Sequence, residues 1–135
     1  MSDADEKKLL ERLIVDERSA MAKLVEMAQG IVGIDRESGS SVILASRAKL
    51  TDREQIFLLL LGRYFSYKLG RATSDSLGLD AVVNGVGIDS KAASARLSEL
   101  KRERAVESVG KGEHRIVYAN AESTLASITE HLRGR

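Results

Sequence analysis

The chain has no cysteine among its 135 residues, which excludes disulfides, thiolate metal sites and thiol nucleophiles and permits an intracellular location. No charged-then-apolar leader opens it, and apolar runs such as residues 56–61 are far too short to span a bilayer. A soluble, cytoplasmic protein with no membrane association is expected. Excess charge is absent too: 21 Lys and Arg against 20 Asp and Glu leave a net charge of +1, unlike a molecule that holds nucleic acid by charge alone. Catalytic signatures are missing. Gly85-Val86-Gly87 lacks the third glycine and preceding strand of a dinucleotide loop, no phosphate-loop lysine motif occurs, and no Ser/His/Asp set is suggested. His131 offers no second metal ligand by spacing, and a lone His114 in a strand reads as a passive exposed side chain. The expectation is a non-enzyme that needs neither metal nor cofactor.

What is present suits one globular core with an accessory element: 43% of the residues are hydrophobic and 30% charged. Charge is unevenly spread. Residues 1–50 hold 8 basic and 9 acidic side chains, net −1, whereas residues 89–119 hold 7 basic and 5 acidic, net +2. The excess points toward the second region, although phosphate binding scales with the cations that actually meet the backbone.

Periodicity divides the chain into three parts, residues 1–50, 51–119 and 120–135. In the first, Leu10, Ile14, Met21, Leu24, Ala28 and Ile31 form a narrow helical seam over residues 6–29, interrupted by Glu17 and stopped at Gly30. Such a stripe lies along another helix of the same chain or pairs with its copy in a second chain. Residues 31–35 and 41–45 are β-branched and read as a small hairpin bridging to the core. In the second part, Thr51-Asp52-Arg53-Glu54 is a capping box opening a helix to about Leu69 or Gly70. Residues 56–61 leave that helix no polar face, so it must be covered on more than one side. Tyr64 and Phe65 there, with Tyr67, read as core packing rather than a ligand pocket. A short helix follows at Leu79, Val82, Val83 and Val86, weakened by Gly85.

Asp89 is the expected N-cap of a third helix, with Ala93, Leu97 and Leu100 inward and Lys91, Ala95, Ser98 and Arg102 outward. Two strands, 106–109 and 114–119, then flank a tip at residues 110–113. Asn120 is a possible cap for a last helix striped by Leu125, Ile128 and Leu132. The fold class expected is mainly α with small β-hairpins. Helix, helix, turn, helix, hairpin is the order of a module that holds one helix in the DNA major groove and the hairpin on its backbone.

The run from Gly87 through Gly110 resembles the recognition helix and wing of many bacterial and archaeal winged-helix regulators. The stretch Leu50-Thr51-Asp52-Arg53-Glu54-Gln55-Ile56 through Gly62-Arg63-Tyr64-Phe65-Ser66-Tyr67-Lys68-Leu69-Gly70 is similar to the first core helix of small archaeal winged-helix proteins. The likeness covers about half the chain. It implies a winged helix-turn-helix with additional N-terminal and C-terminal helices, and it places Ser90, Lys91, Ser94, Ala95, Ser98 and Arg102 near DNA with Lys111 and Arg115 on the wing. Lys101 and His114 are adjacent candidates for phosphate contact. Two departures stand out. Arg104-Ala105-Val106 replaces the family's Gly-Leu-Val, so either a non-glycine residue there adopts a left-handed conformation at a cost of ~1 kcal/mol or the turn is reshaped. Ala95 and Ser98 also stand where a strongly sequence-specific reader offers Arg, Asn or Gln, which favours backbone-dominated binding.

The expected function is double-stranded DNA binding by a transcriptional regulator. It acts as a homodimer through its terminal helices, with Leu10, Ile14, Met21, Leu24, Ala28, Leu125, Ile128 and Leu132 at the interface. The competing expectation, from a near-neutral charge and apolar stripes at both ends, is a module that docks a protein partner without touching nucleic acid. Glu99, Glu103, Glu107 and Glu113 bear on both, because they lie among the cations and can neutralise them locally.

Overall fold

The computed structural model describes residues 2–134. Its N-terminal segment is two helices where the sequence predicts one. Helix α1 (Asp3–Glu11) is capped by the Ser2 hydroxyl, and α2 (Glu17–Ala28) starts afresh after a turn. Asp16 causes the break: its carboxylate accepts from the Arg18 N–H (3.3 Å) and the Ser19 hydroxyl (2.8 Å), an N-cap arrangement incompatible with helix continuing through it. Gly30, at φ 80°, follows α2. Strands β1 (Val32–Ile34) and β2 (Ser41–Ile43) pair antiparallel with Val32 opposite Ile43. Asp35 shapes their connection by accepting from the Glu37 and Ser38 N–H groups, each at 2.9 Å.

Helix α3 (Asp52–Lys68) is the centre of the molecule. The capping box forms as expected, with the Thr51 N–H donating to Glu54 Oε1 at 2.9 Å and the Glu54 N–H donating to Thr51 Oγ1 at 3.1 Å. Residues Glu54 through Gly62 are all buried, which a helix surface tolerates only when neighbours enclose it. The β1–β2 hairpin supplies one cover, and the other comes from the elements that follow α3. Gly62 permits the first contact: a Cβ there would lie 2.0 Å from Ser41 Oγ and 2.7 Å from Ser41 Cβ.

Strand β3 (Leu77–Gly78) precedes helix α4 (Leu79–Val86) and helix α5 (Ser90–Arg102). Gly85 sits in α4 because a Cβ would meet Leu59 Cδ1 at 2.5 Å, and its carbonyl accepts from Arg47 Nη1 at 2.7 Å. Asp89 caps α5 through the Ala92 N–H at 2.7 Å. Strands β4 (Val106–Val109) and β5 (Glu113–Ile116) follow, giving a three-stranded antiparallel sheet in the order β3-β5-β4. Mainly helical with two small antiparallel sheets, the architecture agrees with the fold class expected at that level.

Helix α6 (Tyr118–Gly134) begins two residues before the expected cap. Asn120 lies within its first turn and donates instead to the Arg104 carbonyl at 2.9 Å. Strand β5 is correspondingly short, ending at Ile116, and it includes Glu113, which the sequence assigned to the hairpin tip.

Helices α2 and α6 pack on each other within the chain, and this corrects part of the expected dimer interface. Leu24 and Ala28 of α2 and Leu125 and Ile128 of α6 are buried in the same core cluster as α3, with Met21 and Leu132 partly buried beside them. These side chains already face one another and are spent on intrachain packing. Leu10 and Ile14 remain exposed.

Candidate functional site

Helix α5 is held by its underside. Ala93, Leu97 and Leu100 are buried against α3 and α4, as the 100° periodicity requires, which turns the opposite face to solvent. Ser90, Lys91, Ser94, Ala95, Ser98 and Arg102 are all exposed, and Lys101 is half-exposed at the edge. The structure thus brings together every α5 residue named from the sequence, and among the described residues no terminal element covers them.

The end of α5 is a tight left-handed stop. Arg104 has φ 62°, the sole non-glycine residue at positive φ among the described residues. The Ala105 N–H donates to the Leu100 carbonyl and the Arg104 N–H to the Lys101 carbonyl, each at 3.0 Å, the paired bonds of a Schellman motif. Ala105 and Leu100 are buried beside it, which supplies the apolar contact that usually accompanies the motif. A left-handed non-glycine residue is therefore present, and strand β4 follows it and packs on α5.

Two of the acidic residues among these cations, Glu99 and Glu103, pair with arginines outside the candidate set. Arg53 of α3 pairs with Glu103 and, at 3.9 Å, with Glu99, and Arg96 Nε lies 2.6 Å from Glu99. Glu113 accepts from the Ser76 hydroxyl at 2.9 Å. Lys91, Lys101, Arg102 and Lys111 make no ion pair with any described residue, so the local neutralisation allowed by the sequence does not involve them. Arg53 and Arg96 were not singled out in the sequence. Arg96, three residues before Glu99 in a helix, carried a local signal of its ion pair; Arg53, 46 positions before Glu99 in the chain numbering, carried none.

Two sheet candidates differ from expectation. Arg115 Nε donates to Glu107 Oε1 at 2.8 Å and a terminal nitrogen lies 3.9 Å from Asp75, so its cation is committed within the sheet and its pKa is raised, chiefly by Glu107. His114 is not exposed: it is only 8% accessible, and its Nδ1 has no protein partner. Burial and then the nearby Lys101 push its pKa down, against a smaller opposing effect of Glu113. The neutral ring belongs to the inner face of the sheet with Ile116. Period-two alternation, His114 and Ile116 inward and Arg115 outward, was the signal for this.

The remaining polar features tie elements together. The Tyr64 hydroxyl donates to Glu17 Oε2 at 2.9 Å, and Lys68 Nζ lies 2.6 Å from the same oxygen. Lys68 first, then Tyr64, holds the Glu17 carboxyl below its ordinary range, while burial and then Glu17 push the Tyr64 phenol up. Glu17, read from the sequence as a flaw in an apolar seam, instead clamps the start of α2 to α3. His131 Nδ1 lies 2.6 Å from Glu54 Oε2, which fastens α6 to the capped start of α3. An open apolar groove of about 410 Å³ runs between α2, β1 and the end of α3, lined by Met21, Val25, Ile34, Phe65 and Leu69 among others. Phe65 therefore borders a surface groove, while Tyr64 is buried and Tyr67 exposed.

No helix of the described residues is long and apolar enough to cross a membrane, and no cluster of three metal-ligating side chains occurs among them. Comparison with family models, with curated proteins and with solved structures found no match to the chain.

Proposed function

We propose that α3, α4, α5 and the β4–β5 hairpin act as a winged helix-turn-helix that binds double-stranded DNA, and that the protein regulates transcription. Under this reading α5 enters the major groove and the hairpin, with Lys111 at its tip, lies on the phosphate backbone. The observation that carries it is the exposed face of α5 with its unpaired cations. Lys91 and Arg102 stand at its two ends and Lys101 at its edge, while the neighbouring carboxylates are held by Arg53 and Arg96.

The small side chains between those cations fit the same reading. A helix with ordinary side chains is about 10–12 Å across and the major groove about 12 Å wide, so Ser94, Ala95 and Ser98 let the backbone of α5 sit deep. Serine hydroxyls bond phosphates or bases of either kind, which gives positioning with little base discrimination. Weak sequence preference and marked salt sensitivity follow. Two copies double the phosphate contacts and offset the small net charge of one.

Selection of bound duplexes from a random pool tests both activity and specificity. The reading expects recovery of duplex with modest enrichment of particular sequences; no recovery at low salt overturns it. A second reading, docking of a protein partner, is favoured by one observation, the strongly exposed apolar side chains around the end of α1. Stoichiometric co-purification of a different protein, without nucleic acid, would support it.

A further inference from the structure

β5 is the middle strand of the three-stranded sheet, and His114 on it has Leu77 of β3 and Ser108 of β4 as register partners. Directly opposed residues share a face of the sheet, so these three lie on the inner side with Ile116. The imidazole is buried, and its Nδ1 is shielded from solvent with no partner among the described residues. A neutral ring tolerates this because one of its nitrogens carries no proton. In the protonated ring both nitrogens are donors. Acid therefore creates a buried cation and leaves a buried donor without an acceptor, and both are unfavourable.

Neighbouring charge does not relieve this. Lys101 of α5 repels a charged ring, and the one group that favours it, Glu113, points to the other face of the strand and accepts from the Ser76 hydroxyl. β3, β4 and α3, which pack on β5, bring no further charge to bear on the ring. Arg115 also turns to the outer face, where it meets Glu107 and Asp75. The hairpin itself is anchored unequally. Val106 and Ile116 at its base are buried in the core, whereas β3 pairs with β5 only at His114 and Glu113. We propose that His114 is an acid-sensitive latch, whose protonation favours release of residues 108–114 from β3 while the base of the hairpin and the helical core hold. The released part carries Lys111, one of the cations of the candidate face, and frees Gly78, the N-cap of α4.

This inference goes beyond the DNA reading and does not need it. Amide hydrogen exchange of the full chain, followed by NMR at pH 7, 6 and 5 and corrected for intrinsic exchange, tests it. Residues 108–114 should exchange at least about tenfold faster than residues 56–61 of α3 at every pH, the mark of an opening smaller than unfolding. Their protection should fall as pH drops below about 6.5, by up to about tenfold per pH unit, the limit for one proton. The sign follows from the ring, which is held neutral in the closed hairpin and titrates as an ordinary histidine once released. His114→Leu should abolish the fall, and Lys101→Met, at a half-exposed position, should lessen it at pH 5. Protection of residues 108–114 that ignores pH, that equals protection of residues 56–61, or that falls as much in either variant as in the native chain overturns the latch.

Discussion

Helices α1 and α3 are both rich in leucine, and they meet opposite fates. α3 is enclosed by the hairpin on one side and by α4, α5 and the sheet on the other, so that residues Glu54 through Gly62 are all buried. α1 buries nothing. Their starts do not separate them: each begins with a hydroxyl cap and an acidic first turn. What separates them is the neighbour that the rest of the chain supplies. Apolar content in a helix reports that something must cover it, and the fold decides whether that cover is the same molecule.

The sharpest way to break this contrast is to shorten the same kind of side chain in both helices. Leu58→Ala, in the enclosed stretch of α3, should lower unfolding free energy by about 2–5 kcal/mol in urea titration. Leu10→Ala in α1 should change it by less than about 0.5 kcal/mol at concentrations where the chain is a monomer. Gly62→Ala probes the close approach of α3 to the hairpin. Because its Cβ would collide with Ser41, a loss of about 1–3 kcal/mol is expected, and Ser41→Gly in the same chain should recover part of it. Tyr64→Phe removes the hydroxyl that joins α3 to Glu17 and should cost about 1 kcal/mol. Arg104→Gly should act in the opposite direction, raising stability by about 1 kcal/mol through relief of the left-handed backbone.

Protonation sharpens the comparison without a substitution in either helix. The His114 pKa is lower in the fold than in the unfolded chain, so the unfolded state binds more protons as pH falls below about 6.5. The stability that neutral His114 contributes is present above that value and is lost as pH drops through the folded pKa. Melting temperature should decline between pH 7 and 5, and His114→Leu should flatten that decline. Glu17 works in a lower window: its pKa is depressed, so its contribution holds above its unfolded pKa and disappears as acid protonates it in the fold.

Local chemistry was the legible part of this molecule. The Thr51–Glu54 box, the Asp89 cap, the inward and outward faces of α5 and the left-handed Arg104 each depend on residues within a turn or two, and each is found in the structure. Signals of the same type also misled. Asp16 was a cap hidden in an apolar seam, and Asn120 resembled a cap but lies inside a helix, bonded to Arg104. Long-range partners were not legible at all. A stripe through Leu24 and Ala28 does not say that Leu125 and Ile128 of the same chain will cover it, and nothing near Glu17 announces Tyr64 and Lys68. At the candidate site the α5 cations were readable from helix phase, but their freedom from ion pairs depended on Arg53, 48 positions before Lys101. His114 was misplaced because its position was judged from residue type rather than from strand alternation.

The central claim is that the outer face of α5 meets DNA phosphates, and a salt series of anisotropy titrations with labelled mixed-sequence duplex reads it most directly. With four cations engaged per copy and eight per pair of copies, affinity should fall on the order of ten-thousandfold between 50 and 200 mM salt, and Lys91→Glu with Arg102→Glu should reduce the slope of log K against log salt by about 2 per copy. No binding at low salt, or a slope and affinity unmoved by that double variant, would contradict the account.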